Sequence, residues 1–258
     1  MNEENLIKYY NKFNEDKRFN SRGGYIEFIT TMKYIKEYIK GFNNPKILEI
    51  GAGTGAYSVP LAEKYDVTAI ELVKHNLRYI ESKSNKVKAY QGNAIDLSRF
   101  NDNAFDIVLL LGPMYHLIND KDKIKALSEA KRVTKINGII MVAYIMNDYA
   151  IIMHGFKDNN ILESFEKNLV DHNFHVKSKD TDLYSYVRIE DINEYNKNVK
   201  LKRIKIITPD GSSNYMREII NKMDEDTFNK YIEYHLSTCE RLDMIGSAGH
   251  TLDILEKR

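Results

Sequence analysis

At 258 residues the chain is long enough for one large domain or two small ones, and a 43% hydrophobic content suits a globular protein with a sizeable core. Thirty-eight basic against 37 acidic residues leave a formal net charge of +1, which excludes a global field for a polyanion while leaving a local basic patch open. A single cysteine, Cys239, excludes an intramolecular disulfide and a thiolate metal site, and no run approaches the roughly 18 to 20 apolar residues of a membrane span.

In chain order, the opening stretch "MNEENLIKYYNKFNEDKR" lacks the apolar core of a signal peptide, so a cytoplasmic protein is expected. Tyr25, Phe28, Ile29, Met32, Ile35, Tyr38 and Ile39 then carry a helical period that ends at Gly41 and Pro45. Residues 1–44 are therefore expected to form a helical lid. The texture changes to short β-branched runs at 46–50 ("KILEI"), 66–71 ("DVTAIE"), 86–91 ("KVKAYQ"), 105–111 ("FDIVLLL") and 138–145 ("GIIMVAYI"). Helices are expected between them at about 56–65, 74–83 and 120–135. The alternation predicts a parallel sheet with helices on both faces, built by right-handed crossovers over residues 46–147.

Residues 148–186 show no comparable strand and are expected to form an inserted cap. A short helix near "EDINEYN", a strand at 199–207, helical sequence from 213 to 243 and a last strand, "HTLDILEK", make up residues 187–258. The whole, 1–258, reads as one domain. The basic strand "KNVKLKRIKI" is expected at a sheet edge, with its lysines solvated and protecting it from aggregation.

The stretch "EIGAGTGAY", Glu49 to Tyr57, follows the first strand and opens the first crossover helix. Its glycines permit a tight turn and close backbone approach, and the helix start favours anionic or polar ligand groups, so it reads as a nucleotide-type cofactor site. Gly51, Gly53 and Ala56 also satisfy the relaxed dinucleotide pattern, with Glu71 at a suitable distance for ribose hydroxyls, so this motif alone does not choose the cofactor.

Taken together, "ILEIGAGTG", "VTAIEL", "YQGNAIDL" and "FDIVLLLGPMYHL" resemble four consecutive motifs of the class I S-adenosylmethionine-dependent methyltransferases. The resemblance covers most of residues 10–257. It implies a Rossmann-like α/β fold of seven mostly parallel strands, the last inserted antiparallel beside the fifth. "YYNKFNED", "LLLGPMYHL" and "CERLDMIGSAGHTLDI" are most similar to a bacterial group of small stand-alone methyltransferases of undefined substrate.

By that resemblance the cofactor is S-adenosylmethionine, the product S-adenosylhomocysteine. Glu49 would sit near its amino end, Gly51, Ala52, Gly53 and Gly55 would line the methionyl moiety, and Glu71 with Leu72 would receive the ribose. Asn93, where the family often has Asp, and the backbone of Ala94 would meet the adenine, while Leu111 and Gly112 would lie beneath the sulfonium. Tyr10 or Arg22 would reach the methionine carboxylate.

Tyr115 and His116 would face the methyl acceptor, His116 as a proton acceptor. An alternative for His116 is a cap or a bond to a backbone carbonyl, and for Asn93 a plain turn. Tyr184, Tyr186 and Tyr215 are candidate walls of an aromatic pocket. "GPMY" lacks the acceptor side chain of the N-P-P-Y type loops of nucleobase-amine methyltransferases. His154, His172 and His175 have no ligand spacing, so no metal is expected. The reading is transfer of a methyl group to an oxygen or nitrogen of a small molecule by a monomer or homodimer, with nucleic acid and membrane disfavoured as partners. An RNA or protein methyltransferase, a nicotinamide-dependent oxidoreductase and a non-catalytic cofactor-binding module remain the alternatives.

Overall fold

The computed structural model describes residues 3–11 and 19–258, so "KFNEDKR" in the middle of the expected lid lies outside the described residues. Helices α1 (Glu3–Tyr10) and α2 (Arg22–Ile39) precede the sheet. There follow β1 (Lys46–Ile50), α3 (Ser58–Ala62), β2 (Asp66–Glu71), α4 (Lys74–Lys83), β3 (Lys88–Gln91), β4 (Phe105–Leu110), α5 (Asp120–Val133) and β5 (Thr134–Ile145). The chain continues through α6 (Asn147–Ala150), α7 (Ile161–Glu166), α8 (Ile189–Val199), β6 (Lys202–Ile207), α9 (Arg217–Ile220), α10 (Glu225–Thr238), α11 (Leu242–Ile245) and β7 (His250–Glu256).

The seven strands form one sheet in the order β3-β2-β1-β4-β5-β7-β6. Strands β1 to β5 pair in parallel, and β7 runs antiparallel between β5 and β6, as expected. Alternate residues of each strand enter opposite cores. Leu48, Ile50, Val108, Leu110, Ile140 and Val142 pack against α5 and α8. Ile47, Val67, Ile107, Leu109 and Met141 pack against α2, α3 and α4. Phe105 and Ile107, two apart, fall on opposite faces because a register shift separates them.

The chain leaves β1 toward β2 on one side and reaches β4 on the other, so a crevice opens at the carboxyl ends of β1 and β4. Helix α2 starts with Ser21 accepting a bond from the Gly24 N–H. Its buried stripe is Ile26, Met32, Tyr34, Ile35 and Ile39, whereas Tyr25 is exposed.

Several boundaries shift. Helix α3 is shorter than expected, with regular turns only over Ser58–Ala62. The helical sequence expected at 213–243 forms three helices, α9 to α11, with α10 capped by the Asp224 side chain on the Thr227 N–H. Between β5 and α8 lie α6, a π-helical turn (Ile151–Lys157), α7 and irregular chain. Strand β6 is at the sheet edge as expected, but its charges are not merely solvated: Arg203 pairs with the buried Asp253 at 2.6 Å and Lys205 with Glu240 at 2.8 Å.

Candidate active site

A cleft of about 850 Å³, its open mouth included, lies at the carboxyl ends of β1, β2 and β4. Of the expected residues, Tyr10, Glu49, Gly51, Ala52, Gly53, Glu71, Leu72, Asn93, Ala94, Leu111, Gly112, Tyr115 and His116 line it. Gly55 and Arg22 do not. The Arg22 guanidinium instead donates to the carbonyls of Ile220 and Met223, pairs with Glu225 at 2.8 Å and lies over the Phe228 ring at 4.5 Å. It clamps the start of α2 to the region of α9 and α10. Gly55, at φ +85°, serves packing: a Cβ there would lie 2.8 Å from Val59 Cγ2.

The glycine loop is shaped by its neighbours across the crevice. At Gly51, φ is +73° and a Cβ would lie 2.6 Å from Pro113 Cδ. At Gly112 a Cβ would lie 3.2 Å from the Gly51 carbonyl oxygen. These two glycines thus let the loops after β1 and β4 touch.

Two buried carboxylates face the cleft. Glu71, at the end of β2, accepts from the Gly53 N–H through Oε2 and from the Val73 N–H through Oε1, both at 2.8 Å. Each carboxylate oxygen has two acceptor sites, so the pair can receive two ligand hydroxyls beside those N–H groups. Glu49 accepts from the Ser58 N–H at 2.8 Å, at the start of α3. Burial pushes its pKa up to about 8, and the nearby Glu71 charge adds to the rise.

Asn93 holds its own turn, its Oδ1 accepting from the Ile95 N–H at 3.2 Å, while it still lines the cleft. Tyr115, in the 3-10 turn Pro113–Tyr115, donates its hydroxyl to the Leu111 carbonyl at 2.7 Å. His116 is nearly buried, with Nδ1 2.9 Å from the Leu183 carbonyl and Nε2 2.8 Å from the Tyr10 hydroxyl. A carbonyl only accepts, so Nδ1 carries the hydrogen, and in the neutral ring Nε2 accepts from Tyr10.

Tyr10 therefore meets the loop after β4, and α1 also contributes Leu6 to the cleft wall. Leu6, Phe19, Tyr57, Val73 and Asn76 were not foreseen as site residues. The apolar positions of "LIKYY" were the available signal for Leu6. Tyr184 stands with its ring 5.2 Å from His116, and Tyr215 stands with Tyr149, also at 5.2 Å.

Among the described residues no group of three or more His, Cys, Asp or Glu side chains is placed to hold a metal, and no helix is long and apolar enough to cross a membrane. His154 pairs only locally with Asp158, and His175 with Asp191.

The sheet order and a cleft at the ends of β1 and β4 define a class I S-adenosylmethionine-dependent methyltransferase fold. Residues 48–142 match the methyltransferase domain family. The chain is 28% identical over 156 residues to a ubiquinone biosynthesis O-methyltransferase of Rickettsia typhi, covering 56% of this chain and 61% of that protein. It is 34% identical over 99 residues to a demethylmenaquinone methyltransferase of Renibacterium salmoninarum, covering 38% and 40%. The chain thus spans less than two thirds of the length of these curated relatives. A Thermotoga maritima S-adenosylmethionine-dependent methyltransferase, titled a possible histamine N-methyltransferase, shares the fold across 99% of both chains, with a TM-score of 0.61 and 16% identity.

Proposed function

We propose that the protein transfers a methyl group from S-adenosylmethionine to an oxygen or nitrogen of a small molecule. The observation that carries this is Glu71: a buried carboxylate at the end of β2, held by two backbone N–H groups and lining the cleft, suits a ribose diol. Residue chemistry at the other end of the cleft fits as well. Glu49, with its raised pKa, is poised to give up its proton to solvent when an ammonium group arrives beside it.

When bound, S-adenosylmethionine supplies a methyl group already activated on a sulfonium. The chain's task is orientation and exclusion of water. Gly51, Ala52 and Gly53 would border the methionyl part. Leu72, Asn93 and Ala94 would border the base and ribose. Leu111 and Gly112, at the end of β4, would underlie the transferred carbon, with Tyr115 and His116 on the acceptor side. Tyr10 and Leu6 of α1 would cover the cleft and keep water out. The named activities of the two curated relatives, on quinone precursors, support a small-molecule acceptor.

The test is a thermal melt with S-adenosylmethionine, S-adenosylhomocysteine, NAD(H) or no addition. A native-state ligand at a hundredfold excess over its Kd adds about 2.7 kcal/mol, a rise of roughly 5 to 10 °C for a chain of this size. The rise is expected with the two S-adenosyl compounds alone. A rise with NAD(H) alone, or none at all, would overturn the reading.

A further inference from the structure

A second histidine meets the Tyr115 ring. The Tyr115 centroid lies 5.0 Å from that of His116 and 6.3 Å from that of His250. His250 opens β7 opposite Ile145, the last residue of β5. It therefore stands at the carboxyl edge of the sheet, two strands from the end of β4, a backbone separation of about 10 Å. The Tyr115 ring that it meets lines the cleft, so His250 borders the cleft through that ring.

The ring is oriented by Asp210, whose carboxylate is buried. Asp210 Oδ2 accepts from His250 Nδ1 at 2.7 Å and from Asn214 Nδ2 at 2.6 Å. Its Oδ1 accepts from the His250 backbone N–H and from the Thr208 hydroxyl, both at 3.1 Å. Thr208 in turn receives the Gly211 N–H at 2.8 Å, which fixes the direction of its own hydrogen. A buried carboxylate is costly unless its acceptor sites are filled. Here two of the four donors belong to one histidine. The close approach also dictates Gly249, where a Cβ would lie 2.5 Å from Asp210 Oδ2.

With Nδ1 committed to a carboxylate, Nε2 is the nitrogen that exchanges protons, and an imidazolium formed there is steadied by Asp210. His116 is bonded to a backbone carbonyl and a phenol, which steady that charge less. Among the described residues the titratable groups on this side are the Tyr115 phenol after β4, Asp210 after β6 and, within the field of Asp210, the Tyr149 and Tyr215 phenols, which burial pushes up and the Asp210 charge raises further. Arg217 acts on Tyr149 in the opposite sense. His235 of α10 lies across Gly211 from this loop, and burial pushes its imidazole down. Aromatic rings on this side favour a flat acceptor, and a base is needed where the nucleophile is a hydroxyl.

We propose that His250, positioned by Asp210, takes the proton from the phenolic hydroxyl of a planar acceptor seated against Tyr115. This rests on the methyltransferase reading above. The O–H bond breaks, its proton joins Nε2, and the electron pair left on oxygen forms the new O–C bond as the methyl carbon's bond to sulfur breaks. Asp210 is a positioning residue.

The experiment uses 4-nitrophenol, whose phenolate is coloured, titrated against protein saturated with S-adenosylhomocysteine. With His250 as base, the bound phenol ionises about one pH unit or more below free 4-nitrophenol. His250→Gln, which keeps a polar chain of similar reach, abolishes that shift, and Asp210→Asn reduces it. A shift unchanged in His250→Gln, or no change in the band with wild-type protein, overturns the proposal. Calorimetry with S-adenosylhomocysteine on the same samples separates the two levels: bound nucleoside with an unperturbed phenol sinks the His250 role alone, whereas no nucleoside binding sinks the methyltransferase reading with it.

Discussion

The Tyr10 hydroxyl lies 2.8 Å from Nε2 of His116, joining α1 to the loop after β4 across the mouth of the cleft. An eight-residue helix is marginal on its own, so α1 depends on such docking contacts and on buried Leu6. Tyr10→Phe removes one hydrogen bond and keeps the ring. At about 1 kcal/mol for the bond, the dissociation rate of S-adenosylhomocysteine should rise about fivefold, read by stopped-flow displacement. An unchanged rate would mean that α1 does not hold the cleft closed.

Glu71 should be far less replaceable. Glu71→Ala removes the acceptor for the Gly53 and Val73 N–H groups together with the carboxylate proposed for the ribose. Hydrogen bonds to charged groups contribute about 1.5 to 3 kcal/mol each, so S-adenosylhomocysteine affinity should fall by more than a hundredfold. Glu71→Gln keeps one acceptor oxygen but sets an amide donor against a backbone donor, and should fall between. Calorimetry checks both, with circular dichroism confirming the fold. Wild-type affinity in the alanine variant would remove Glu71 from the site.

Much of this was legible because strands announce themselves by β-branched runs and because the loop residues sit at fixed offsets from strand ends. The five runs from "KILEI" to "GIIMVAYI" became β1 to β5, and Glu71 ended β2 as its motif implied. What the sequence did not show are contacts between distant segments. Arg22 follows a tyrosine-rich lid and was expected to grip a carboxylate, yet its partners are more than 190 residues away in α9, α10 and the turn between them. Asp210 and His250 are 40 residues apart and join only because β7 inserts beside β6. Gly51 and Gly112 line the cleft, yet the neighbour that demands glycine at each is the other's loop, which fills the space of a Cβ.

Glu49 makes stability depend on pH. Its folded pKa, about 8, lies above the ordinary 4.5. Between those values the native state keeps a proton that the unfolded chain has released, so stability falls as pH rises through the window and levels off above it. The slope from this group is at most about 1.4 kcal/mol per pH unit. Glu49→Gln keeps an oxygen for the Ser58 N–H and removes the titration, so urea midpoints measured from pH 5.5 to 8 should fall less steeply than in wild type. Parallel slopes would show that Glu49 titrates normally.

Arg22 supplies the converse case, a residue whose loss should cost stability and spare the cleft. Its guanidinium holds two carbonyls of the α9–α10 region, and its stacking on Phe228 adds a packed apolar contact. The ion pair with Glu225 weighs little, because that carboxylate is exposed. Arg22→Ala leaves the carbonyls to water and uncovers Phe228, a loss of roughly 2 kcal/mol. At 2 to 4 °C per kcal/mol for a chain of this size, the melting temperature should drop by roughly 4 to 8 °C. The affinity for S-adenosylhomocysteine, measured by calorimetry well below that melt, should stay within twofold of wild type, because Arg22 is not part of the cleft wall. A tenfold loss of affinity with an unchanged melt would return Arg22 to the role of carboxylate grip.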